Sequence, residues 1–176
     1  ASYLERASVT DEHIEMFQVL CTQDIPEYKG QHFSISGMRF FPKPIQYPYP
    51  PIWIGGNTDG AIRRAALLGN AWHGINLSPT EVLQKKKTLI SACGNIDRDS
   101  GTVSVTMRGI VRFDDTRFTK NGDRISLTGT KNMILDDIKR FRDSGLDYLV
   151  LSVASKNTDS TISDVNLIAD NVIGNY

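Results

Sequence analysis

Apolar residues recur along this chain in two alternating rhythms. Ile14, Phe17, Leu20 and Cys21 follow helical spacing, with Met16 and Val19 widening the stripe. Thr10 is placed to cap this helix, with Asp11 and Glu12 favouring its positive end, and Pro26 ends it. Residues 27–51 break the pattern. Phe33, Ile35, Phe40 and Phe41 sit near Gly30 and Gly37, which reads as a short hairpin or an extended excursion. Pro42, Pro44, Pro48, Pro50 and Pro51 exclude helix and central strand alike, leaving a semi-rigid extended connector or a domain linker. Tyr47 and Tyr49 within it suggest that it packs on something.

From Ile52 the rhythm is strand, then helix, four times. Ile52, Trp53 and Ile54 read as a buried strand running into Gly55 and Gly56, and Asn57 or Thr58 caps a helix carrying Ile62, Ala65, Ala66 and Leu68. Residues 71–77 form a second strand. Ser78, Pro79, Thr80 and Glu81 then spell a capping box with proline at the first helical position, and this helix stops at Gly94. Residues 103–111 form a third strand. A polar stretch with the tight-turn pair Asn121-Gly122 leads to a helix carrying Met133, Ile134, Ile138 and Phe141. Residues 147–153 are the clearest strand, and Ile162, Val165, Ile168 and Val172 mark a last helix. Strands apolar on both faces and alternating with helices imply a parallel sheet covered by helices. A small doubly wound sheet and half of a (β/α)8 barrel both satisfy this pattern. The 176 residues are read as a single domain, with a helix, hairpin and connector over 1–51 and four β/α units over 52–176.

Composition narrows the function. Twenty basic residues balance 20 acidic ones, which removes the electrostatic footprint of a nucleic-acid binder. No apolar run approaches the ~20 residues of a membrane span. Two cysteines, Cys21 and Cys93, make no disulfide framework and no metal motif, so a reducing cytoplasm is expected.

Three places carry candidate chemistry. Gly55, Gly56, Asn57 and Thr58 join a strand to a helix start, where free N–H groups favour an anion such as phosphate. The same residues also make a tight turn with no ligand. His73 lies in the second strand, without a nearby carboxylate or cysteine in sequence, and is either structural or a strand-end catalytic group. Arg108 interrupts an apolar strand and shares a face with Thr106 and Ile110. It pairs either with a cofactor or substrate anion or with a core-edge carboxylate. Asn76 is a further polar strand-end residue, Arg112 reads as a solvated one, and Arg63, Arg64, Lys85, Lys86 and Lys87 read as solvated helix faces.

The run Pro42-Lys43-Pro44-Ile45-Gln46, the prolines to Pro51, Ile52-Trp53-Ile54-Gly55-Gly56-Asn57, and the segment from Arg63 to His73 together closely resemble the bacterial-luciferase-like flavin-dependent monooxygenases. Thr10-Asp11-Glu12, residues 28–33 and residues 145–151 agree. The resemblance implies a TIM-type (β/α)8 barrel, of which this chain matches the C-terminal half, and a cofactor, FMN or the deazaflavin coenzyme, at the C-terminal ends of the strands. It assigns phosphate contact to Gly55, Gly56, Asn57 and Thr58, and places His73 and Arg108 at the pocket as catalytic candidates. The expected activity is an oxidoreductase or monooxygenase reaction on a small-molecule substrate. Two copies are expected to pair as a homodimer that rebuilds a barrel-like core. A piece of a longer protein and a catalytically inactive half-barrel that binds a ligand or partner are the alternatives.

Overall fold

The computed structural model describes residues 5–155 and 157–172. Helix α1 (Arg6–Thr22) comes first, then a two-stranded antiparallel hairpin of β1 (Tyr28–Lys29) and β2 (Ser34–Ile35). The Pro-rich connector leads into β3 (Trp53–Gly55), α2 (Asp59–Leu68), β4 (Ala71–Ile75) and α3 (Pro79–Gly94). There follow β5 (Ser104–Phe113), the short β6 (Thr128–Gly129), α4 (Lys131–Asp143), β7 (Tyr148–Val153) and α5 (Thr158–Val172). The hairpin alternative of the connector region therefore holds.

The order β3-β4-β5-β7 is parallel throughout, the arrangement expected for half of a (β/α)8 barrel. β6 was not anticipated. Ser104 and Arg112 both donate from one side of β5, to Asn70 and Leu127. β6 thus extends the β4 side of β5 beyond the end of β4.

Parallel register puts paired residues on one face. The outer rows are Ile54–Trp72–Val105, Gly74–Met107–Leu149 and Val111–Val153. Of these, Ile54, Trp72, Val105, Met107 and Val111 join Ile62, Ala65, Val82, Leu89, Ile134 and Phe141 from the helices in one apolar core, and Leu149 packs against it. Burial of this surface is the main stabilising force, at roughly 25 cal/mol per Å² removed from water. The caps follow local chemistry. Thr58 accepts from the Ala61 amide, Thr130 caps α4, and Ser78 with Glu81 completes the capping box.

The inner face is different. Its rows are Trp53–Ala71–Ser104, Gly55–His73–Thr106–Tyr148, Ile75–Arg108–Val150 and Ile110–Ser152. Among the described residues no helix covers it, and Trp53, Ile75 and Tyr148 are 44%, 43% and 58% exposed. Only Ile54 of β3 is buried, so the expected buried strand is buried on one side alone.

Other expectations are corrected by long-range contacts. Thr10 is inside α1, not its cap, and its hydroxyl donates to the Arg6 carbonyl. Glu12 turns inward and accepts from the amides of Gln31, His32 and Phe33, fastening the β1–β2 turn to α1. Arg64 is not solvated: it pairs with Asp11 and ties α2 to α1. Lys85 pairs with Asp59, and Lys86 donates to the Gly145 carbonyl. Tyr49 meets Phe17 edge-on at 6.3 Å, whereas Tyr47 is 97% exposed and packs on nothing.

Candidate functional site

The β3–α2 turn is built around two glycines with different reasons. Gly56 has φ 125°, and a Cβ there would sit 3.2 Å from that of Ala61, so backbone conformation and close approach both select glycine. Gly55 lies on the inner face, and a Cβ there would meet nothing within 4 Å. Its missing side chain leaves clear space beside the strand end.

The turn is locked to β4. The Gly56 amide donates to the His73 carbonyl at 3.0 Å, and the Gly56 carbonyl accepts from the Trp72 indole at 2.7 Å. Asn57 reaches Ile75 twice, donating to its carbonyl and accepting from its amide, both at 2.9 Å. Thr58 is spent on the α2 cap. The side chains of Asn57 and Thr58 therefore hold the turn, and the donors left for an anion are first-turn amides of α2. Asp59 already places a carboxylate at this helix start, and Lys85 holds its pKa below the ordinary value by hydrogen bond and charge.

His73 and Arg108 share the inner face with Trp53, Thr106, Tyr148 and Ser152. The His73 ring lies 5.4 Å from the Trp53 ring, which meets Tyr148 edge-on at 5.6 Å. His73 Nδ1 is 2.8 Å from the Thr106 hydroxyl. Burial, and then the charge of Arg108, lowers the basicity of His73. Arg108 donates from Nε to the Ser152 hydroxyl at 2.8 Å and forms no ion pair among the described residues. Among the described residues no carboxylate pairs with Arg108. Asn76 is structural, accepting from the Ile110 amide.

The sequence reading placed Thr106 on the face of Arg108 but not beside His73, and it missed Trp53, Tyr148 and Ser152 as site neighbours. Period-two parity in each strand held the signal, but only the register between strands turns it into a surface. A cavity of about 920 Å³ lies further along, between the start of α3 and residues 114–129. Arg112, Arg117 and Arg124 line it, and none of the six candidate site residues does. Among the described residues no helix is long and apolar enough to cross a membrane.

A family model described as luciferase-like monooxygenase matches residues 2–119, and the chain belongs to that family. An uncharacterized protein of Mycobacterium tuberculosis (strain ATCC 25618 / H37Rv) is 26% identical across 97% of this chain and 54% of its own length. The chain thus spans about half the length of the curated relatives it matches. Monooxygenase RslO1 from Streptomyces bottropensis superposes with TM-score 0.78 at 16% identity, over 99% of this chain and 63% of that one. An F420-dependent secondary alcohol dehydrogenase, solved with an F420-acetone adduct, gives TM-score 0.77 at 13% identity, over 98% and 62%. At such identities these likenesses establish the shared fold. Their coverage agrees with a half-barrel.

Proposed function

We propose that the chain supplies one wall of a flavin- or deazaflavin-dependent oxidoreductase site acting on a small-molecule substrate. The observation that carries this reading is the inner-face cluster: His73 and Trp53 lie beside the clear space at Gly55, with Arg108 one register row along. FMN or the deazaflavin coenzyme, when bound, supplies the electron or hydride transfer.

The chain's own residues do the rest. Gly55 and Gly56 let a cofactor approach the backbone, and the α2 start attracts its phosphate end. Asn57 and Thr58 fix that turn. Trp53 and Tyr148 offer flat apolar surface to a ring. Arg108 has donors beyond the one given to Ser152 and suits an anionic group. His73, neutral at pH 7, takes up or returns a proton. Titration with FMN and with deazaflavin coenzyme, followed by absorbance, tests the reading. Saturable binding that weakens in Gly55→Val supports it, and no binding of either at high micromolar concentration overturns it for this chain.

The uncovered inner face favours a second reading. Here a catalytically inactive half-barrel uses Trp53, Ile75 and Tyr148 to receive a ligand or partner. In both readings a second copy is the proposed partner, since four principal strands are half of an eight-stranded barrel. Dimerisation without cofactor binding selects the second reading.

A further inference from the structure

We infer that Thr106 locks neutral His73 in the tautomer carrying its hydrogen on Nδ1, so that Nε2 stands on the inner face as a bare hydrogen-bond acceptor. The argument is a count of hydrogens. The Thr106 hydroxyl is buried and has one hydrogen to give. Two acceptors are in reach, the Trp72 carbonyl oxygen at 3.0 Å and His73 Nδ1 at 2.8 Å.

Suppose the hydroxyl donates to Nδ1. Then the hydroxyl and carbonyl oxygens face each other at 3.0 Å with no hydrogen between them, and one bond forms. Suppose instead that it donates to Trp72. Then the hydroxyl oxygen accepts from Nδ1–H, and both short contacts are bonds. Buried polar groups adopt the arrangement that satisfies more of them. The second arrangement is therefore the favoured one, and it leaves Nε2 without a hydrogen.

The position of Nε2 follows from two further facts. Among the described residues the His73 ring has no other hydrogen bond. Among the described residues no buried side-chain nitrogen or oxygen lacks a partner, and His73 is half-buried, so Nε2 reaches the open side. Arg108, one register row along, disfavours a second proton on the ring. Thr106 is thus a positioning residue, acting through His73.

One consequence rests on the proposed function. The ligand group that meets Nε2 carries an N–H or O–H, such as a substrate hydroxyl or a ring N–H. A carboxylate or phosphate oxygen at that point would set lone pair against lone pair.

The test is the imidazole ¹⁵N spectrum of the whole chain near neutral pH, without added ligand. The chain has three histidines, and His73→Gln identifies the signal by its loss. The expected result is a protonated Nδ1 and a bare Nε2 in the wild type and in Thr106→Ser. In Thr106→Val the hydrogen moves to Nε2 in most molecules. A wild-type ring protonated on Nε2 overturns the inference without any variant. So does Thr106→Val with an unchanged tautomer. Failure of cofactor binding leaves this outcome untouched, so the two readings fail separately.

Discussion

The charge of Arg108 is felt by His73 across one register row, and this makes the pair separable by titration. Burial and then Arg108 lower the imidazole from its ordinary value of 6.5, so the fold disfavours imidazolium. A depressed group contributes stability above its unfolded pKa and loses that contribution as pH falls through the folded one. The window for His73 therefore lies below about 6.5. Arg108→Met is expected to raise the NMR titration midpoint of His73 toward the ordinary value, while burial keeps it from reaching it. An unchanged midpoint would show that the guanidinium does not act on the ring. Glu12 gives a second residue-scale prediction. Burial works to raise its pKa, but bonds from the amides of His32, Gln31 and Phe33 outweigh burial and hold it below 4.5. Its stabilisation is fully present near neutrality and fades as pH falls below that value. Glu12→Gln keeps the shape but weakens the acceptors, so its melting temperature is expected to fall at pH 7 and to match wild type at strongly acidic pH. Equal melting temperatures at pH 7 would count against this clamp.

At the scale of elements, α4 and the loop before it compare a buried ion pair with a helix cap. Asp137 is 1% exposed, accepts from the Leu127 amide at 2.7 Å and pairs with Arg124 at 2.7 Å. Removing one partner of such a pair leaves a charge without compensation and costs about 3–5 kcal/mol. The Ser78 cap is exposed, and its loss costs about 0.5–2 kcal/mol. In urea unfolding, Asp137→Ala is therefore expected to lose more stability than Ser78→Ala. It should also release the Leu127 amide to fast hydrogen exchange. The opposite ranking would place the loop outside the cooperative unit. This contrast explains what the sequence could disclose. The Ser78 box was legible because both halves lie within one turn. Asp137 and Glu12 were not, since their partners come from other elements and charge alone reads as solvated surface. Likewise Gly55, Gly56 and His73 were singled out from their place near strand ends, and Arg108 as a charge inside an apolar strand. Thr106, already on the face of Arg108, and Trp53 became neighbours of His73 only through register, because an isolated strand does not reveal which face stays uncovered.

At the scale of the whole molecule the two faces of the sheet differ, and the two tryptophans report on them. Trp72 is fully buried, donates its indole N–H to Gly56 and marks the covered outer face. Trp53 is 44% exposed and marks the uncovered inner one, flanked by Tyr148 at the sheet edge. β3 and β7 both end the sheet with unpaired edges, an arrangement that invites strand pairing with another chain. A second copy related by a two-fold axis would present the same two edges and the same apolar row, so one contact is repeated and closes. The expected mass in sedimentation is then twice the 19.6 kDa of the chain. On dilution, Trp53 emission should shift to the red and become open to acrylamide as the face is uncovered. Trp53→Phe should leave only the unresponsive signal of Trp72. Tyr148→Asp puts a charge on the inner face without touching the outer core, and is expected to give a folded monomer at concentrations where wild type is paired. A wild-type chain that sediments as a monomer at high micromolar concentration, with Trp53 open to quencher throughout, would mean that the inner face is not closed by a second copy.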